Sequence, residues 1–172
     1  MKKLLFILLT INLTTSCTGQ AMKDLKPVEN VDIQRFMGKW YVIAIKPNWI
    51  EKNPFNSIEE YSLNKKGHID VKYSFNQNGF DGKKRILRQK AFIKNLESNS
   101  EWQIQPFWPL KFPYFIIDLD EDYSYTVIGY PNRKLLWIMS REKTISNENF
   151  KIINQNLLRQ GYDLDYIKIP HN

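Results

Sequence analysis

Few side chains in this sequence are equipped for covalent or metal chemistry. Among 172 residues there is one cysteine, Cys17, and there are two histidines, His68 and His171. A nucleophile needs a base beside it and a third group that orients the base. Neither histidine has a neighbour in sequence that completes such a set, and no Gly-x-Ser-x-Gly or His-Glu-x-x-His pattern occurs. The acidic runs Glu59-Glu60 and Asp120-Glu121-Asp122 fall near expected strand ends, where carboxylates are normally solvated, and His68 reads as a surface strand residue. One cysteine allows no intrachain disulfide framework, and with two histidines it makes a zinc site implausible. The expectation is a protein that is not an enzyme, with no catalytic residue, no metal and no cofactor. Aromatic residues are 14% of the chain. The chemistry they favour is non-covalent binding of apolar matter.

The elements that must position such a surface begin after an N-terminal segment of different character. Met1-Lys2-Lys3 is followed by an apolar run from Leu4 to Leu9 that continues weakly to Leu13. A short basic region before an apolar run of this length is the pattern of a secretory signal, too short to span a bilayer. Leu13-Thr14-Thr15-Ser16-Cys17 resembles the bacterial lipobox, with Thr14 where the motif's leucine usually stands. The resemblance implies cleavage before Cys17 and acylation of its thiol and amine, which would make Cys17 a membrane anchor rather than a nucleophile. Two or more acyl chains hold a protein stably on a bilayer where one does not. Residues 1–16 are thus expected to be a signal peptide and 17–30 a lipidated, small and polar tether. Residues 31–170 form the folded domain, and no second stretch approaches the ~20 apolar residues of a membrane span.

From Val31 the chain reads as a short helical turn closed by Gly38, then a strand meander. Strands are expected over residues 39–46, 57–63, 68–75, 83–94, 102–105, 113–120, 123–130 and 134–141, joined mostly by short turns such as Asn76-Gln77-Asn78-Gly79 and Pro131-Asn132-Arg133. Ile69, Val71, Tyr73 and Phe75 alternate with polar residues and share one face. The period then changes. Ser146 can cap a helix over residues 147–160, with Glu148 in its first turn, an apolar stripe of Phe150, Ile153, Leu157 and Leu158, and Gly161 as C-cap. A short final strand is expected within residues 164–169. Eight sequential antiparallel strands and one helix point to a closed up-and-down β-barrel with the helix outside, since closure removes exposed strand edges. An eight-stranded barrel is wide enough to be filled by side chains or to hold one small ligand. A β-sandwich would need longer crossovers than these loops provide.

Three motifs then carry a family resemblance. Gly38-Lys39-Trp40-Tyr41 resembles the Gly-x-Trp signature of lipocalins. Asp122-Tyr123 resembles part of their second motif, with Glu121 where threonine is usual. Arg141, closing Leu136-Trp137-Ile138-Met139-Ser140-Arg141, resembles the third. Within the family, Trp40-Tyr41-x-Ile43-Ala44, the block ending in Arg141 and the lipobox are similar to the bacterial outer-membrane lipoprotein lipocalins and their animal relatives; Val42 departs from the glutamate common there. The signature has a structural reason. Gly38 turns the chain into the base, Trp40 plugs it, and Arg141 can lie over the indole as a cation–π partner. These three are expected to be fold determinants rather than ligand contacts.

Alternation gives the candidate inner wall. With Trp40 facing in, Val42 and Ala44 follow. Lys90 and Lys94 facing water turn Leu87, Gln89, Ala91 and Ile93 inward. Trp102 and Ile104, Tyr114 and Ile116, and Tyr125, Val127, Trp137 and Met139 complete the set. The loops at the open end carry Trp49, Phe55, Phe80, Phe107, Trp108 and Phe112, which either pack as a lid or meet lipid or a partner. The resemblance implies a lipid-anchored envelope protein, on the periplasmic face of the outer membrane. It would bind, store or transport fatty acids such as palmitate, lysophospholipids or similar amphiphiles, with the tail in the barrel and the headgroup at the mouth. With a formal net charge of +7, Lys46, Lys52, Lys83, Lys84 and Arg85 are candidate partners of anionic headgroups. Nucleic acid is a poor partner for an exported chain with dispersed basic residues. An envelope interaction module without an exchangeable ligand is the first alternative and a lipocalin-fold enzyme, its site assembled across distant strands, the second; oligomeric state is not written in the sequence.

Overall fold

The computed structural model describes residues 24–48 and 51–172; Cys17 and Trp49 lie outside them, as does the signal segment. A four-residue helix α1 (Ile33–Phe36) leads into β1 (Gly38–Ile45), followed by β2 (Pro54–Leu63), β3 (Ile69–Gln77), β4 (Lys83–Ile93), β5 (Glu101–Phe107), β6 (Leu110–Leu119), β7 (Tyr125–Gly129) and β8 (Leu136–Ser140). Helix α2 (Asn147–Arg159) and a two-residue β9 (Ile167–Lys168) end the chain. From β1 to β8 each strand pairs antiparallel with the next. Strand β1 pairs with β8 on one edge (Tyr41 opposite Ser140, Ile45 opposite Trp137) and with β2 on the other (Gly38 opposite Tyr61, Tyr41 opposite Ile58). The sheet is therefore a closed eight-stranded up-and-down barrel. Strand β9 adds to the outer end of β1, with Ala44 opposite Lys168.

The strand interior and the helix cover bury two separate apolar sets. The alternating Ile69, Val71, Tyr73 and Phe75 of β3 all face the inner set, with Trp40, Trp102 and Phe36. The outer set lies under α2. There Ile153 and Leu157 of the helix, with Phe150, meet Ala44, Ile117, Tyr125, Val127, Leu136 and Ile138. Ser146 caps α2, its Oγ accepting from Asn149 N–H at 3.1 Å. The expected stripe is narrower than its sequence suggests: Leu158 stands 57% exposed.

Three inward assignments, Ala44 in β1 and Tyr125 and Val127 in β7, are corrected here. In β1 the pairing with β8 shifts between Val42 and Ala44. This β-bulge inserts one residue, so Val42 and Ile45 face the lumen and Ala44 turns outward under α2. In β7, Thr126 opposes Met139 and Ile128 opposes Trp137. Directly opposed residues share a face, so Thr126 and Ile128 point in while Tyr125 and Val127 point out to the helix. All five residues of β7 are buried, so polarity alone could not phase it.

Three smaller expectations are also revised. His68 is buried, its ring 5.8 Å from Phe92 and its Nε2 3.1 Å from Asp70 Oδ1. Part of the stretch read as a tether is seated on the barrel. Val28 N–H donates to Ile116 O at 2.9 Å, and the backbone of Lys26 exchanges bonds of 2.9 and 2.8 Å with the Gln160 side chain. Strand β2 begins three residues earlier than expected, because Asn56 adopts φ +50° and absorbs a bulge between Phe55 and Ile58.

The helix-to-barrel contact has a tight point at Gly129. A Cβ there would come within 2.7 Å of Ile117 Cδ1 and 2.8 Å of the Tyr162 hydroxyl. That hydroxyl cannot easily retreat: it accepts from Tyr130 N–H at 2.8 Å and lies 3.1 and 3.2 Å from the carbonyls of Tyr130 and Leu135. Gly129→Ala is expected to lower unfolding free energy by ~1–3 kcal/mol, read as a lower urea midpoint at unchanged slope. An unchanged midpoint would mean that the helix cover shifts freely.

Candidate functional site

The closed end is built by the three signature residues. Gly38 has φ +93°, a conformation that side-chain-bearing residues rarely adopt. Trp40 is fully buried, its Nε1–H donating to Phe36 O at 2.9 Å, and the Arg141 guanidinium lies 3.7 Å over its ring. The same guanidinium donates to the carbonyls of Lys39 (2.8 Å), Arg35 (2.6 Å), Phe36 (3.2 Å) and Met37 (3.0 Å). It thereby ties the α1–β1 corner to the end of β8. Above Trp40 an aromatic floor follows: Phe36 lies 5.2 Å from Trp102, and Trp102 stacks on Tyr114 at 5.9 Å.

Above this floor the barrel is hollow. A cavity of about 480 Å³ opens at the other end, within the range usual for small-molecule sites. Leu87, Gln89, Ile104, Tyr114 and Trp137, all expected to face inward, line it. Val42, Ala91, Trp102, Ile116 and Met139 also face inward but lie in the packed core beneath. Alternation gives face but not depth, so the sequence could not separate these two groups. Ala44 and Tyr125 are outside the lumen, as described above.

The sequence reading missed the polar part of the wall. Glu59 is not near a solvated strand end. It sits in the middle of β2, 5% exposed, facing the cavity. Its Oε2 accepts from the hydroxyls of Tyr114 (2.9 Å) and Tyr61, which also bond each other. Glu51, in the β1–β2 connection, lines the same cavity. It accepts from Trp137 Nε1–H at 3.2 Å and from the Asn48 side chain. Tyr73 adds a third hydroxyl, 3.4 Å from Ser57 Oγ. A signal was present: Glu59 and Tyr61 share parity in a strand whose other face carries Glu60 and Ser62. The neighbouring Glu60 does face out, paired with Lys72 at 2.6 Å.

Burial pushes the Glu59 carboxyl from an ordinary 4.5 up to about 7; the two tyrosine hydroxyls oppose the rise and the Glu51 charge adds to it. Burial likewise holds Tyr61, Tyr73 and Tyr114 well above 10, so they remain hydrogen-bond donors. The sign of the linkage follows. Between pH 4.5 and 7 the folded barrel keeps a Glu59 proton that the unfolded chain has lost, so the Glu59 contribution to stability falls as pH rises through that window and is flat above it. The loss attributable to Glu59 is roughly 3 kcal/mol. Glu59→Gln is therefore expected to unfold at higher urea concentration than the parent at pH 8, and to lose that advantage by pH 5. A difference that does not change with pH would contradict this.

At the mouth, Phe112, Tyr130, Asn132 and Lys134 form the rim. Lys134 was not among the expected headgroup partners. Of those that were, Lys46 is paired with Asp163 and Arg85 with Gln77 (3.0 Å), while Lys52, Lys83 and Lys84 are exposed. The loop aromatics divide: Phe55 and Phe80 pack edge to face at 5.1 Å, Phe112 lines the cavity, and Phe107 and Trp108 stand 62% and 84% exposed. Among the described residues no group of three His, Cys, Asp or Glu side chains is placed to hold a metal ion.

A barrel closed by Gly38, Trp40 and Arg141, hollow above them and covered by one helix, has the architecture of a lipocalin. The chain belongs to that family: the lipocalin-like domain model matches residues 31–172. It is 29% identical to temperature-induced lipocalin-1 of Arabidopsis thaliana over 160 residues, 87% of this chain and 84% of that protein. It is 30% identical to the outer membrane lipoprotein Blc of Escherichia coli K12 over 144 residues, 80% and 77% of the two chains. Insecticyanin from the tobacco hornworm Manduca sexta shares the fold at 20% identity, with a TM-score of 0.67 over 87% of this chain and 86% of that one.

Proposed function

We propose that this lipocalin is a lipid-anchored envelope protein that takes up a fatty acid, a lysophospholipid or a similar amphiphile in its barrel lumen and does not act as an enzyme. The observation that carries the reading is the one-ended cavity of about 480 Å³ walled by Leu87, Ile104, Phe112, Tyr114 and Trp137. Burial of each methylene contributes ~0.8 kcal/mol, so a chain of modest length suffices for sequestration at equilibrium. The apolar tail enters the lumen. An anionic or zwitterionic headgroup stays at the rim, where Lys134 supplies positive charge, because a carboxylate at depth would meet Glu51 and Glu59. Acylation at Cys17 would tether the barrel to the membrane that supplies such ligands. The outer membrane lipoproteins among its relatives support placement at the outer membrane; the face proposed is the periplasmic one.

Native mass spectrometry tests the binding. The protein from Thr18 onward, delipidated and then offered palmitate or a lysophospholipid, is expected to form a one-to-one adduct. A folded barrel that forms none would favour an interaction module, with the exposed Phe107 and Trp108 as the first surface to examine. Intact mass of the membrane-extracted protein tests the anchor: acyl chains on a chain beginning at Cys17 are expected, and an unmodified N-terminus would overturn it.

A further inference from the structure

The floor of the lumen is an acceptor site that no basic side chain among the described residues completes. Both tyrosine hydroxyls converge on Glu59 Oε2, and among the described residues Oε1 has no hydrogen-bond partner, although the side chain is 5% exposed and lines the cavity. Glu51, also 5% exposed, lines the same cavity and adds a second carboxylate. Among the described residues Lys134, at the rim, is the one basic side chain lining that cavity. A buried carboxylate that lacks a countercharge is unfavourable, and a cation brought to it recovers part of that loss. Removing the carboxyl would be the simple route to stability, so its presence on a ligand-sized cavity calls for a partner.

We infer that the inner end of the lumen receives the protonated nitrogen of a long-chain amphiphilic amine. The nitrogen donates to Glu59 Oε1, and the chain runs past Leu87 and Ile104 to the mouth. The site thus accepts amines head-down, the reverse of the orientation assigned above to fatty acids, and prefers them over a fatty acid of equal length. This inference rests on the lumen being the ligand site. The groups facing Glu59 are Tyr61 on β2, Tyr73 on β3, Tyr114 on β6 and Glu51 before β2; β8 contributes Met139 and Trp137, which do not titrate. The tyrosines remain protonated, as does an alkylamine, whose pKa is close to that of lysine. Glu51 already holds Trp137 Nε1–H on one oxygen and the Asn48 side chain on the other, so Glu59 is the carboxylate open to the amine and its charge governs the preference.

Calorimetric titration of the protein from Thr18 onward with dodecylamine, dodecanol and dodecanoate, each below its aggregation concentration, tests this. At pH 8 dodecylamine is expected to bind at least tenfold more tightly than dodecanol, and dodecanoate no more tightly than dodecanol. At pH 5 the amine's advantage shrinks at least fivefold, an arm that needs no variant. Glu59→Gln at pH 8, checked for fold by circular dichroism, loses the advantage, read as the ratio of amine to alcohol affinity falling to within about twofold of one. An amine that binds no better than the alcohol at pH 8, or an advantage that survives both pH 5 and Glu59→Gln, overturns the proposal and leaves the lumen reading standing. If none of the three ligands binds, both fall.

Discussion

Trp40→Ala is expected to lower the unfolding free energy by about 3–5 kcal/mol, the range for deleting a large aromatic from a packed core. The residue is fully buried, and its neighbours cannot close the gap. Phe36, 5.2 Å away, is held by the α1 turn, and Arg141 is held over the ring by four backbone carbonyls. The substitution also leaves Phe36 O without the indole donor and removes the aromatic face under the guanidinium, a cation–π contact of ~0.5–2 kcal/mol. Equilibrium urea unfolding followed by circular dichroism measures it, with the slope held constant as the control on compactness. A loss below about 1 kcal/mol would show that the barrel base closes without its plug.

The second large effect is on binding rather than folding. Leu87 and Ile104 sit on adjacent strands and face empty lumen, so Leu87→Trp with Ile104→Trp places two indoles where a ligand chain would lie without overpacking the core. Excluding about three methylenes forfeits about 2.4 kcal/mol, roughly a 50-fold loss of affinity for a saturated fatty acid. The stability of the double variant should match or exceed the parent, because the added rings find apolar walls. Palmitate titration with a parallel thermal melt reads both quantities. Affinity that survives intact in a folded double variant places the ligand elsewhere.

Ala91, although small and inward-facing, is the wrong position for such a block. It lies in the core cluster with Ile69 and Trp102 and does not line the cavity. The contrast shows what the sequence can and cannot carry. Strand order, the closed barrel, the outer helix and the plug were all legible, because alternation, turn residues and three short motifs point the same way. The inward phase was legible where one face of a strand is polar, as in β3. It failed where a bulge adds a residue, at Ala44, and where both faces are buried, at Tyr125. Depth along the barrel is set by the stagger of strands and leaves no local trace, so floor and cavity residues could not be told apart. Glu59 was misplaced for a related reason. A carboxylate in a strand is ordinarily solvated, and only the tertiary approach of Tyr114 to Tyr61 makes its burial tolerable.

The central claim is that the hollow above Trp40 holds the ligand, and nuclear Overhauser effects between a carbon-13-labelled palmitoyl chain and the protein's methyl groups test it most directly. Cross-peaks from the chain to the methyls of Leu87 and Ile104 are the expected result, fading in the double tryptophan variant as the chain is excluded. Cross-peaks confined to the outer surface near Phe107, Trp108 and Leu110, with Leu87 and Ile104 silent, would contradict the claim and move the lipid contact from the lumen to the hairpin tip.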